Sequence, residues 1–151
     1  MKTRSCAVVL STIVLLVGTL AWAAPRPSTS SQSVPAFPGT LVNARYVYVT
    51  SYDGDQFNVN LLPEDRQAIV TVQDAMQKWG KFALVYEPRQ ADIVLVVMSR
   101  PSEDVLAVYD AHGWPGNGQY LWRMMGRSGL QQSEAPLVTN LEKAFDKATM
   151  K

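Results

Sequence analysis

Short segments of alternating or uniformly apolar residues predict the strands of this chain. Residues 45–51 alternate, with Tyr46 and Tyr48 on one face of a predicted strand and valines on the other. A stretch of helical periodicity follows, and after it come four further candidate strands, at 82–86, 93–98, 105–110 and 120–125. The segment 93–98 is apolar at every position, which is typical of a strand buried on both faces.

Helical spacing of apolar residues predicts two helices. Pro63 suits the first position of a helix, and the carboxylates of Glu64 and Asp65 suit its first turn. Gly80 suits a left-handed cap at its end. The second helix is predicted for about 133–149. Two apolar helix stripes need a common sheet to pack on. We therefore predict an α+β fold, a two-layer sandwich with the order β-α-β-β-β-α, in which one mixed sheet carries both helices on one face. That order counts three strands among the four later segments.

The first 23 residues have the layout of a secretory signal peptide. Lys2 and Arg4 are basic, residues 7–20 are almost wholly apolar, and the stretch ends in Ala21-Trp22-Ala23, with small residues where a signal peptidase cuts. We expect cleavage near Ala23 and export to the periplasm or the extracellular space, with no stable membrane insertion afterwards. An uncleaved anchor is the alternative, because roughly 20 apolar residues suffice to span a bilayer.

Residues 24–40 are rich in proline and serine and offer little bulk to bury. We predict a disordered tether over 24–40 and a single domain over 41–150.

Charge and composition exclude several function classes. The chain has 14 Lys+Arg against 13 Asp+Glu, and this balance predicts no binding to nucleic acid, which requires a basic excess. The basic residues expected on the surface are scattered rather than clustered and predict only a solvated rim: Lys81, Arg100, Arg123 and Arg127. Removal of the first 23 of 151 residues would leave 128, and would remove Cys6, the single cysteine. Cysteine-based catalysis and disulfides are then excluded.

Metal and cofactor sites are not predicted. One histidine without cysteines leaves too few transition-metal ligands. Asp53, Asp55 and Glu64 have the spacing of a calcium loop, but Phe57 and Asn58 stand where such a loop needs an oxygen ligand and a glycine. An ordinary polar turn explains these residues better.

The distribution of aromatic residues predicts a binding surface. Tyr46 and Tyr48 share one strand face, and Tyr120 and Trp122 share a face of another strand, close to Trp114 in the preceding loop. Because the helices cover one face of the sheet, we expect the open face to display these rings, joined by Tyr86 and Tyr109 if the register allows. Such rings are enriched at protein interfaces. They could instead be half-buried strand residues that shield the sheet.

One stretch carries a resemblance to known proteins. Residues 79–97 read WGKFALVYEPRQADIVLVV, with a helix ending in Trp-Gly, a strand, an acidic-proline turn and Ala-Asp before an apolar strand. This is similar to uncharacterised small exported bacterial proteins, and more distantly resembles envelope α/β domains of the curli-secretion lipoprotein and the amino-terminal domain of the Tol translocation protein. The resemblance implies an envelope interaction or assembly module without a catalytic site.

Three functions follow as hypotheses. The first is a non-catalytic exported module whose aromatic sheet face binds an envelope protein or a second copy of the chain. The second is a small-ligand or glycan binder that uses the 112–122 region. The third is a hydrolase centred on Asp110 and His112, since a histidine oriented by a carboxylate can act as a general base.

Overall fold

The protein folds as two helices packed on one five-stranded mixed sheet, an α+β fold as predicted. A computed structural model describes residues 33–116, 118–131 and 135–150. In chain order the elements are β1 Tyr46–Ser51, α1 Pro63–Trp79, β2 Ala83–Val85, β3 Ile93–Ser99, β4 Asp104–Asp110, β5 Trp122–Gly126 and α2 Pro136–Thr149. Four strands, not the predicted three, separate the helices, because all four apolar segments after α1 join the sheet.

The sheet order is β2-β1-β3-β4-β5, with β1 parallel to both neighbours and the remaining pairs antiparallel. The inner face carries both helices and the main core, which includes Val47, Leu95 and Phe145. The outer face carries a second, smaller cluster centred on Val94 and Val96, to which neither helix contributes a residue.

Both helices begin at a proline, where the missing N–H removes no helical hydrogen bond. Gly80 ends α1 with φ 69°, and its N–H donates to the Met76 carbonyl, as the sequence predicts. The second helix begins at Pro136 rather than near residue 133. Ala135 directly before it has φ 39°, outside the helical region, so the helix cannot include that residue. Residues 132–134 lie outside the described residues.

The described end of the predicted tether packs on the domain. Phe37 is 5% exposed, and its ring meets that of Phe145 edge-on at a centroid distance of 5.3 Å. The indole N–H of Trp122 donates to the Pro35 carbonyl at 3.0 Å. Residues 33–40 therefore lie within the compact unit that begins at Ser33. The predicted signal peptide, 1–23, and the start of the tether, 24–32, lie outside the described residues.

A buried polar network ties α1 to the carboxyl end of β3. Asp65 is fully buried and accepts hydrogen bonds from the Ser99 N–H at 2.7 Å and the Arg100 guanidinium at 2.9 Å. Asp104, also fully buried, accepts from the Ser99 hydroxyl at 2.7 Å and from the Leu130 N–H at 2.9 Å. Arg100 is thus part of this network, and the expectation that it belongs to a solvated rim is wrong.

Candidate functional site on the outer face of the sheet

Strand register brings two of the predicted tyrosines onto one row of the outer face. Tyr48 pairs with Val94, and Val94 pairs in turn with Tyr109, so the three side chains lie side by side across β1, β3 and β4. Tyr48 is 8% exposed and Tyr109 is 6% exposed. They form the floor of this face rather than its surface.

Two aromatic residues contact Tyr109, and a third, Tyr120, lies near it. The hydroxyl of Tyr52, just beyond β1, lies 3.0 Å from the Tyr109 hydroxyl. The Trp114 ring packs against the Tyr109 ring at a centroid distance of 4.8 Å, tilted by 58°. Tyr120 is close enough to influence the ionisation of Tyr109. Burial, followed by the hydrogen bond with Tyr52, raises the pKa of Tyr109 above its ordinary range.

One cation lies among these rings. The Arg123 guanidinium stands 5.7 Å from the centroid of the Tyr120 ring, a cation–π distance. Arg123 pairs with Ala107 in the ladder between β4 and β5, which places it on the outer face. Its Nε is buried without a hydrogen-bond partner, and within 33–116, 118–131 and 135–150 no carboxylate forms a salt bridge with it.

We name this surface the outer aromatic patch and define it by six residues: Tyr48, Tyr52, Tyr109, Trp114, Tyr120 and Arg123. Tyr52 and Tyr120 are 45% and 48% exposed. The patch therefore has a buried floor and an exposed rim, and the rim combines aromatic area with an unpaired positive charge. That combination can stack on apolar or planar groups and bind a carboxylate or another anion.

Trp122 does not belong to this patch, and the expectation that it shares a face with the tyrosines is wrong. Register pairs Trp122 with Val108, whose side chain belongs to the core under the helices. Trp122 is 1% exposed and is among the largest fully buried side chains of the main core. The alternation within its strand was read correctly, but alternation alone does not tell which of its two faces meets the helices.

Two further tyrosines lie outside the patch. Tyr46 is 47% exposed at the start of β1, where its N–H donates to the Asp92 carboxylate at 3.0 Å. A hydrogen bond from the Arg45 N–H, followed by the one from Tyr46, holds the pKa of Asp92 below its usual range. Tyr86 is 57% exposed after β2, and no ring contact or hydrogen bond joins it to the patch in the described part of the chain.

The Asp110–His112 pair is a capped turn at the end of β4. One Asp110 oxygen accepts from the His112 N–H at 2.9 Å and lies 3.0 Å from the ring Nδ1. These bonds lower the pKa of Asp110, the backbone bond most. The His112 side chain is 86% exposed. Among the described residues, no hydroxyl is bonded to the imidazole as a nucleophile would be.

Sequence reasoning missed Tyr52 and Arg123. Tyr52 lies just beyond β1 and was not among the predicted site residues, and Arg123 was predicted to belong to a scattered basic rim. The alternation of Arg123 with Trp122 was a usable signal, because a charged residue beside a buried tryptophan on a strand must point to the opposite face.

Comparisons with known proteins add no family or function. No protein-family model matches the chain, and no curated protein or solved structure shows significant similarity to it. The resemblance of residues 79–97 to exported envelope proteins therefore stays a prediction. Among the helices in the described part of the chain, none has the length and apolar character needed to cross a bilayer. The same residues contain no group of three or more acidic, histidine or cysteine side chains placed to hold a metal ion.

Proposed function

We propose that this chain is a non-catalytic, exported interaction module that binds a protein partner through the outer aromatic patch. The observation that carries the proposal is the arrangement of half-exposed tyrosine rings and an unpaired arginine around the buried Tyr109. Tyrosine, tryptophan and arginine are the residue types that dominate binding energy at interfaces. Export is supported by the amino-terminal sequence pattern, and the envelope of a bacterium is the compartment that the resemblance of residues 79–97 favours.

The charge of the patch favours a partner with a carboxylate at the contact. The Arg123 guanidinium lies over the Tyr120 ring, and the described residues supply no ion pair to neutralise it. An acidic side chain or a carboxyl terminus of the partner would supply that counter-charge while its apolar neighbours pack on Tyr52 and Tyr120. A planar guanidinium can bind such a carboxylate through two parallel hydrogen bonds.

The test is crosslinking in cells with a photo-crosslinking amino acid placed at position 120. Position 86 is the matched control, because it also holds a half-exposed tyrosine but lies outside the patch. We expect a repeatable protein adduct from position 120 that is absent from position 86. Arg123→Gln should reduce the adduct about tenfold or more, while Arg127→Gln, an equal change of charge outside the patch, leaves it intact. Equal adducts from both positions, or none, would contradict the proposal.

A ligand-binding function is the second candidate, favoured by the packing of Trp114 on Tyr109 beside the exposed Tyr120. Aromatic rings at the surface can stack on sugars as well as on proteins. Titration of a panel of oligosaccharides against tryptophan fluorescence, with Trp114→Phe as the comparison, tests this alternative. The hydrolase hypothesis has less support, since the exposed Asp110–His112 pair caps a turn and has no nucleophile placed beside it among the described residues.

A further inference from the structure

The loop after β1 holds two large apolar side chains in solvent. Phe57 is 71% exposed and Val59 is 88% exposed. We call residues 55–60 the knob loop. Exposed apolar side chains clustered on one loop are a common mark of an interaction site.

Hydrogen bonds within the knob loop and from α1 hold its backbone in place. The Asp55 carboxylate accepts from the Phe57 N–H at 2.9 Å, and the Asn58 side chain both donates to the Asp53 carbonyl and accepts from the Asn60 N–H. The Arg66 guanidinium, on α1, donates to the carbonyls of Gln56 and Asn58. These bonds fix the loop backbone in the free chain, so little conformational entropy remains to be lost when the tip binds.

A complementary groove lies at the other end of the molecule. A cavity of about 560 Å³ opens between residues 33–39 and the last two turns of α2, and its apolar lining includes Val34, Phe37 and Ala148. Lys143 and Lys147 are the charged side chains among the described residues that line it. Its position follows from the contacts of Phe145, which meets Phe82 just before β2, at the end of the sheet where β1 begins.

The knob loop and the groove are both apolar, and the charged residues beside them have opposite signs. The knob presents apolar side chains, and the acidic residues Asp55 and Glu64 beside it form no salt bridge with a described residue. The groove presents an apolar floor with two lysines at its margin. Because the knob follows the end of β1 and the groove lies near its start, one molecule cannot bring its own knob into its own groove.

We infer that the knob loop of one copy of this chain docks in the groove between residues 33–39 and α2 of a second copy. The contact is heterologous, so each copy keeps a free knob at one end and a free groove at the other. Such contacts build an open chain of molecules or a closed ring, rather than a two-fold dimer. No residue of the outer aromatic patch belongs to the knob loop or lines the groove.

Two paired variants test the inference on the full chain, purified from cells with its amino terminus determined. Phe57→Ser/Val59→Ser removes the knob and keeps the groove, whereas Lys143→Glu/Lys147→Glu keeps the knob and reverses the charge of the groove. Val70→Ser is the matched control, an exposed apolar residue on α1 outside both surfaces. Circular dichroism checks that each variant is folded, and Val59→Ser alone replaces the knob variant if the double change unfolds the chain.

Sedimentation velocity over a range of concentrations gives the readout. We expect the wild type and Val70→Ser to form species larger than two chains, and each double variant to associate about tenfold more weakly or not at all. An equimolar mixture of the two double variants should form a one-to-one dimer and nothing larger. The intact knob loop of the groove variant enters the intact groove of the knob variant, and the dimer then has no second intact pair of surfaces with which to grow. A monomeric wild type, double variants that associate like the wild type, or a mixture without the dimer would each overturn the inference. None of these results depends on the patch, and a loss of crosslinking at position 120 would leave this inference standing.

Discussion

Removal of the Asp65 carboxylate should destabilise the fold far more than removal of the other acidic partner of Arg100. Asp65 is fully buried and accepts from the Ser99 N–H as well as from the guanidinium. Asp65→Ala leaves that N–H without its partner inside the protein and strips Arg100 of its buried counter-charge. Breaking a buried ion pair on one side costs about 3–5 kcal/mol.

The structure places the expected loss at the lower end of that range. The Arg100 side chain is 31% exposed and keeps a second ion pair with Asp53 at 3.0 Å, so water and Asp53 offset part of the loss. We expect about 3 kcal/mol for Asp65→Ala and about 1–2 kcal/mol for Asp65→Asn, whose amide oxygen can still accept from Ser99. Asp53→Ala should cost below about 1 kcal/mol, because the Asp53 side chain is 54% exposed.

Urea unfolding followed by circular dichroism measures this series. With a slope of about 2 kcal/mol per molar, the midpoint of Asp65→Ala should fall by about 1.5 M while the slope itself stays unchanged. Equal midpoints for Asp65→Ala and Asp53→Ala would refute the reasoning, since burial would then make no difference to the two ion pairs.

Three further results are expected from the contacts around the core and the patch. Phe37→Ala should lower the free energy of unfolding by about 3 kcal/mol in urea, whereas Val34→Ala, at an exposed position, should change it by under about 0.5 kcal/mol; equal effects would mean that residues 33–40 are a free tether after all. The raised pKa of Tyr109 means that the unfolded chain loses its phenolic proton first, so stability should fall as the pH rises above about 10, and less steeply in Tyr109→Phe; the comparison is unfolding free energy between about pH 8 and 11, and parallel curves would contradict it. The lowered pKa of Asp92 has the opposite sign: its contribution is present above the ordinary value of 3.8 and is lost as the pH falls below it, so Asp92→Asn should flatten the acid limb of the same curve, and an unchanged limb would count against the two backbone bonds.

Much of the fold could be predicted because the ends of α1 and the burial of β3 depend on residues that are close together in the sequence. Pro63 and Gly80 bound α1 through backbone chemistry that depends on no distant residue. The uninterrupted apolar run of β3 follows from its central place in the sheet, where both faces are buried. The register between strands depends on distant residues and has no such local signal. For this reason Tyr109 was predicted to join the aromatic surface only if the register allowed it.

The wrong expectations concern contacts between distant residues. Trp122 and Tyr48 both alternate correctly within their strands, but only the pairing of β5 with β4 determines which side of β5 meets the core. Phe37 lies in a proline-rich segment of low bulk, and its burial depends on Phe145, more than a hundred positions away. The burial of Asp65 could not be predicted from its place in the first turn of α1, because it depends on Ser99, which tertiary structure brings between Asp65 and Asp104.

The place of β1 in the sheet has a consequence for how the chain reaches its native state. Both neighbours of β1 come later in the sequence, and the bond between the Tyr46 N–H and Asp92 already spans 46 residues. Pairings of that separation close large loops before they return any contact energy, and this slows folding. The first strand therefore has no strand to pair with until synthesis has passed α1 and reached β2, so every pairing of β1 waits until more than half of the chain has been made.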